Sequence, residues 1–161
     1  IHWHMVCCIN YTTYDVRHAQ DTIHVGKGQC DIMLLSGEDS MDSHPYWYAQ
    51  MVCIFHVNLT HQPTNICTPQ WHDVLLVRWL AQEDTDSTGS QLFQPLDQVS
   101  WVSGDNEDAY GFVDPSSVIH SCHLVPCFHS SPDDVSASEV TLLKRKQADV
   151  HMDWKAYYVM R

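Results

Sequence analysis

The chain has 161 residues, 44% of them hydrophobic and 11% aromatic, which is enough apolar material for one packed domain and too much for global disorder. Eight Lys and Arg stand against twenty Asp and Glu, a formal net charge of -12 at pH 7, so the basic face that phosphate backbones require is missing and direct nucleic-acid binding is not expected. No apolar run approaches the roughly 18 residues of a membrane span, and no membrane partner is expected.

In chain order, Ile1 to Ile9 is apolar and His-rich and reads as an opening strand or an arm. Asn10 to Arg17 alternates in the β manner, with Tyr14 and Val16 on one side and Thr13, Asp15 and Arg17 on the other. Gln20 to Gln29, holding Gly26 and Gly28, reads as a loop, and Asp31 to Leu35 as a short strand before a polar turn region, Ser36 to Pro45. The clearest strand runs from Tyr46 to Val57, with Trp47, Ala49, Met51, Cys53, Phe55 and Val57 on one apolar face. Asn58 to Trp71 contains Pro63 and Pro69 and reads as a loop. Val74 to Leu80 follows as a strand with Leu75, Val77 and Trp79 on one face and Arg78 on the other, so the two strands are expected to pair as a long-looped antiparallel hairpin.

Beyond an acidic loop, Gln82 to Ser90, the pattern predicts a short strand over Val99 to Val102 and a turn over Gly104 to Asp108. Asp114-Pro115 has the form of an N-cap with proline at the first helical position, starting one helical turn through Ile119. His120 to Phe128 reads as a strand interrupted by Pro126, and Ser130 to Asp134 as a linker. Ser136-Ala137-Ser138-Glu139 fits a capping box that would open a short helix to Gln147. Tyr157 to Met160 closes the chain as a strand. The expected fold class is therefore mainly β: a small antiparallel barrel or curved sheet with one or two short helices. Residues 1–161 form a single β-rich domain in this reading, with 1–9 as an arm and 130–150 as linker and short helix.

Seven cysteines fall at positions 7, 8, 30, 53, 67, 122 and 127 without a Cys-x-x-Cys pair, which points to buried, reduced thiols in an intracellular protein. Cys53 reads as a small core residue. Two glycosylation sequons, at Asn10 and Asn58, would matter only in a secreted chain. The chain opens at Ile1 without a basic stretch leading into an apolar one, so no signal peptide is expected within it, and the missing initiator Met reads as a fragment or processed chain.

The chemistry-bearing residues form no known catalytic motif: there is no Gly-x-Ser-x-Gly elbow and no His-Glu-x-x-His. Cys122 and His123 are sequence neighbours, which a strand points to opposite faces, away from the reach that Cys-His catalysis needs. His120, Cys122, His123, Cys127 and His129 are the first metal candidates, but strand alternation splits them between two faces. His2 and His4 share one strand face and read as an exposed terminus that could take up a stray metal. No metal and no cofactor is expected. Gly26-Lys27-Gly28 is too short for a phosphate loop and reads as a turn. Of the consecutive Tyr46, Trp47 and Tyr48 at least one must face away from the core, where an exposed aromatic beside acidic loops can cage a cationic or methylated peptide side chain. The competing reading places Trp47 in the core with the tyrosines capping a sheet edge. The expected binding residues are Tyr46, Trp47 and Tyr48 on the first long strand and Arg78 and Trp79 on the second.

Ordered blocks over most of the chain carry a family resemblance. They include Asn10 to Arg17, Asp31 to Ser36, His44 to Ala49, Ile54 to Val57, Leu76-Val77-Arg78-Trp79, Ala109 to Pro115, Val118 to His120, His123 to Pro126 and Asp153 to Val159. Together they resemble the C-terminal region of proteins encoded by Plavaka-type DNA transposons of mushroom-forming fungi. The resemblance implies a small β module that follows the transposase portion and carries no catalytic residues, similar to bromo-adjacent-homology domains. Family members have several Lys and Arg after the Val-Arg-Trp strand; Gln91 to Gln98 has none, which suits a repurposed or degenerate copy without nucleic-acid contacts. The function expected is non-catalytic interaction or assembly. The partner is a protein or peptide, or further copies of the chain, at an intracellular location with the nucleus a candidate. A metal-dependent module, or a nucleic-acid-associated part of a transposition complex, is the alternative.

Overall fold

A computed structural model describes residues 1–27, 30–37, 44–59, 69–83, 96–128 and 154–161. The fold is built on the expected hairpin. β-Branched and aromatic residues favour the pleated, half-buried surface of a strand, and they carry β5 over Tyr46–Leu59 and β6 over Gln70–Gln82. These pair antiparallel from Tyr48↔Leu80 to Leu59↔Gln70. Both strands extend further than the hydrophobic runs that announce them, because ladder pairing continues through Asn58↔Trp71 and Leu59↔Gln70.

Shorter strands flank each half of the hairpin. Those before it are β1 (His2–His4), β2 (Val6–Thr12), β3 (His18–His24) and β4 (Asp31–Leu35). Those after it are β7 (Gln98–Trp101), β8 (Tyr110–Val113), β9 (Val118–Ser121), β10 (His123–Pro126) and β11 (Tyr157–Met160). The main sheet runs β10-β11-β7-β6-β5-β4-β9, with β1 on β5 and β8 on β6. Its two ends, β9 and β10, are joined through Cys122 alone, so the sheet curls into a nearly closed antiparallel barrel. The fold class is mainly β, as expected. Among the described residues no helix is long and apolar enough to cross a membrane.

Two cores result. Met33, Tyr48, Leu80, Val99, Cys122, Tyr157 and Val159 fill the inside of the curl. On the other face of β4, β5 and β6, Ile32, Leu34, Ala49, Met51, Ile54, Leu75 and Val77 are covered by Ile9 and Ile23 of the β2–β3 hairpin. Each fully buried aliphatic side chain contributes about 2 kcal/mol. Asp21 of β3 fastens this cover, accepting hydrogen bonds from the Ser121 backbone N–H and hydroxyl, both at 2.8 Å.

Several expectations need correction. Asn10 to Arg17 is not one strand: β2 ends at Thr12, and the chain turns through Thr13–Arg17, with Val16 in the left-handed region at φ 63°. Residues 20–24, expected to be loop, belong to β3, whose pairing with β2 overrides the turn signal of Gly26. The apolar face of β5 is not continuous. A β-bulge at Val52 shifts the register between Met51 and Cys53, so Ile54 and His56 continue the face of Ala49 and Met51, while Cys53 and Phe55 turn to the other. His120 to Phe128 is two strands broken at Cys122 rather than at Pro126. Tyr110–Val113, left unassigned by the sequence pattern, is β8.

Strands Asp31–Leu35 and Tyr157–Met160 match their expected bounds. Asp114 does cap a helical turn, its side chain accepting from the Ser116 N–H, but the turn is a 3-10 turn over Pro115–Ser117 and does not reach Ile119, since Val118 and Ile119 belong to β9. The expected helix from Ser136 to Gln147 and the linker from Ser130 lie outside the described residues. Residues 1–9, considered as an arm, are in part β1, laid on β5 with Trp3 opposite Phe55.

Candidate binding site

Tyr46, Trp47 and Tyr48 begin β5, and strand alternation separates them. Tyr48 points into the barrel and is fully buried, while Trp47 is on the opposite face, 41% exposed, and meets Trp79 edge-on at 5.7 Å between ring centres. The competing reading is thereby reversed: the middle aromatic is exposed and a tyrosine enters the core. Tyr46 is half-buried beneath the Arg161 guanidinium, 4.7 Å from its ring centre. His44, Tyr46, Trp47, Tyr48, Leu80 and Gln82 line a shallow cleft of about 260 Å³. Of the two β6 residues, Arg78 lies 4.6 Å over the Trp101 ring on the barrel side, and Trp79 packs against the hairpin-covered core. The five expected residues therefore divide between two faces of the sheet.

Beside the cleft lies a polar network that sequence patterning missed. The Asp97 carboxylate accepts from the Tyr48 hydroxyl and the Arg161 guanidinium, with His44 Nε2 3.4 Å away. Arg161 Nε also donates to the Tyr48 hydroxyl at 3.2 Å. Desolvation opposes the charge on Asp97, but the hydrogen bonds from Tyr48 and Arg161 and the Arg161 charge outweigh it and hold the carboxyl below its ordinary range. Burial, reinforced by the Asp97 contact, pushes the Tyr48 phenol well up.

Beyond the bulge, the second half of the β5–β6 hairpin carries β1 on one edge and β8 on the other. Its two faces differ. One bears aromatic residues: Trp3 of β1 contacts Phe55 at 5.3 Å, and Phe55 meets Phe112 of β8 edge-on at 6.1 Å. Trp3 is 66% and Phe112 72% exposed. The other face bears histidines. His2 and Asp73 both lie opposite His56, and His4 lies opposite Ile54. His4 Nε2 meets His56 Nδ1 at 2.7 Å, and the His56 ring is stacked by His2 at 4.7 Å and met by the tilted Trp71 ring at 4.4 Å. Burial disfavours the charged form of His56, and His2 and His4 push the same way, so its pKa lies below the ordinary histidine value.

The alternation that puts His2 and His4 on one face is legible in the sequence, whereas simple alternation along β5 puts His56 on the face opposite Ala49 and Met51, because the bulge at Val52 has no sequence mark. The other histidine-cysteine run is not gathered. Cys122 is buried and His123 exposed, His120 Nδ1 contacts the Ser121 carbonyl at 2.6 Å, and His129 lies outside the described residues. Burial, with Asp31 nearby, pushes the Cys122 thiol up to about 12, which keeps it protonated at neutral pH. Cys53 is half-buried on the aromatic face rather than in the core.

No family model, curated protein or solved structure matches this chain.

Proposed function

We propose that this protein is a non-catalytic interaction module that docks an extended, basic segment of a partner polypeptide along β1. The observation that carries the reading is the row Trp3–Phe55–Phe112, exposed at Trp3 and Phe112 with Phe55 half-buried between them, which runs out to a strand paired on one side only among the described residues. An edge strand offers free backbone donors and acceptors to an added strand, and the aromatic row offers binding area to its alternate side chains. The net charge of -12 selects the partner's sign, since a basic segment is steered in and a second acidic copy is repelled. Lysine or arginine side chains would also gain from the faces of Trp3 and Phe112. The resemblance to a stretch that follows a transposase portion supports the same reading, a component that holds a complex together. The cleft at Tyr46 and Trp47 is the secondary contact in this scheme.

The test is fluorescence anisotropy with a labelled synthetic peptide alternating lysine with valine, leucine and phenylalanine, against its glutamate counterpart. Micromolar binding of the lysine peptide alone, abolished by Trp3→Lys, is the expected result. Equal binding by the Trp3→Lys protein, or preference for the glutamate peptide, overturns the reading. Sedimentation velocity of the protein alone covers the remaining occupant: a dimer that Trp3→Lys dissolves would give the edge to a second copy.

A further inference from the structure

We infer that His4, His56 and Asp73 form a binding site for a divalent late transition-metal cation, zinc being the natural occupant. The three side chains come from three adjacent strands, β1, β5 and β6, and reach the same side of the sheet through cross-strand register. Their ligand atoms all lie within 4.8 Å of one another. Imidazole and carboxylate are the donors that zinc accepts, and two imidazoles with one carboxylate leave a fourth tetrahedral position open to water or a partner's side chain.

Two features set this cluster apart from a chance surface grouping. First, His56 is 9% exposed and sits on β5 between β1 and β6, so its ring is held within the sheet rather than free at the surface. Second, His4 Nε2 and His56 Nδ1 face each other at 2.7 Å, a contact that needs one shared proton. A cation takes the place of that proton. With bonds of about 2.0–2.1 Å in tetrahedral geometry, the two nitrogens would sit about 3.3 Å apart, so a small opening of the pair suffices. The His2 ring stacked on His56 and the tilted Trp71 ring against it limit the reorientation of the imidazole. His4 and Asp73 are exposed, so a cation reaches the site from solvent. Binding would tie β1 to the hairpin and thereby brace the strand whose edge the proposed partner uses.

The test begins with chelator-treated full chain titrated with zinc chloride by calorimetry, and with cobalt(II) chloride by visible absorption. One cation per chain is expected, with a tetrahedral cobalt spectrum lacking thiolate charge-transfer bands. His4→Ala and Asp73→Asn, both at exposed positions that the fold tolerates, should each weaken binding at least about tenfold. His2→Ala, outside the ligand set, should weaken it less than either. Absence of stoichiometric binding overturns the inference. So does unchanged affinity in the His4→Ala/Asp73→Asn double variant, or a thiolate signature, which would move the cation to the cysteines. Each of these readouts is independent of the peptide experiment.

Discussion

Replacing Asp97 by Asn tests the polar network that joins the start of β5 to the end of β11. The substitution keeps the side-chain volume and one acceptor oxygen but removes the charge. In the wild type the carboxylate accepts from the Tyr48 hydroxyl and the Arg161 guanidinium. Hydrogen bonds to a charged group contribute about 1.5–3 kcal/mol each, against about 1 kcal/mol for neutral ones. The Arg161 side chain is 39% exposed, so solvent screens its share. The net loss is then about 2 kcal/mol, or a fall in Tm of about 4–8 °C for a chain of this length. The pH dependence has a definite sign. The Asp97 pKa is depressed in the fold, so its contribution is complete above the unfolded value of about 3.9 and is lost as pH falls through the folded value. Urea unfolding followed by tryptophan fluorescence should therefore separate the two proteins by about 2 kcal/mol at pH 7, with the gap closing in acid. A gap that is the same at pH 7 and below pH 3, or no gap at either, would refute the account of the network.

Gly111→Ala would place a Cβ 2.5 Å from Trp79 Nε1, and the indole cannot yield freely because it is packed against the core and Trp47. A loss of about 2 kcal/mol with a changed near-ultraviolet tryptophan signal is expected; an unchanged stability would contradict that packing. Val16, a β-branched residue at φ 63° in an exposed turn, should be improved by Val16→Gly, raising thermal stability by about 1 kcal/mol. Iodoacetamide mapped by mass spectrometry should label exposed Cys8 in the native protein and leave Cys122, 2% exposed with its thiol pushed up to about 12, unlabelled until denaturant is added. Rapid native labelling of Cys122 would contradict its place inside the barrel.

How much was legible in advance follows from which signals are local. Runs of β-branched and aromatic residues marked β4, β5, β6 and β11, because burial on both faces removes polar residues from a strand whatever it pairs with. Asp114-Pro115 marked its helical turn through the backbone geometry of two adjacent residues. Composition likewise determined the class, a mainly β domain of strongly acidic charge. Tertiary structure alone decided the rest. The bulge at Val52 is an extra residue accommodated by pairing with β6, and no residue type announces it; it turned His56 toward His4 and Asp73 and turned Phe55 toward Trp3 and Phe112. Asp97, Tyr48 and Arg161 are distant in sequence and meet because β11 pairs with β7 in the sheet that also holds β5. Periodicity reports which residues of one strand share a face. Which strands share that face is set by strand pairing and register, a property of the whole chain, and both candidate sites depend on it.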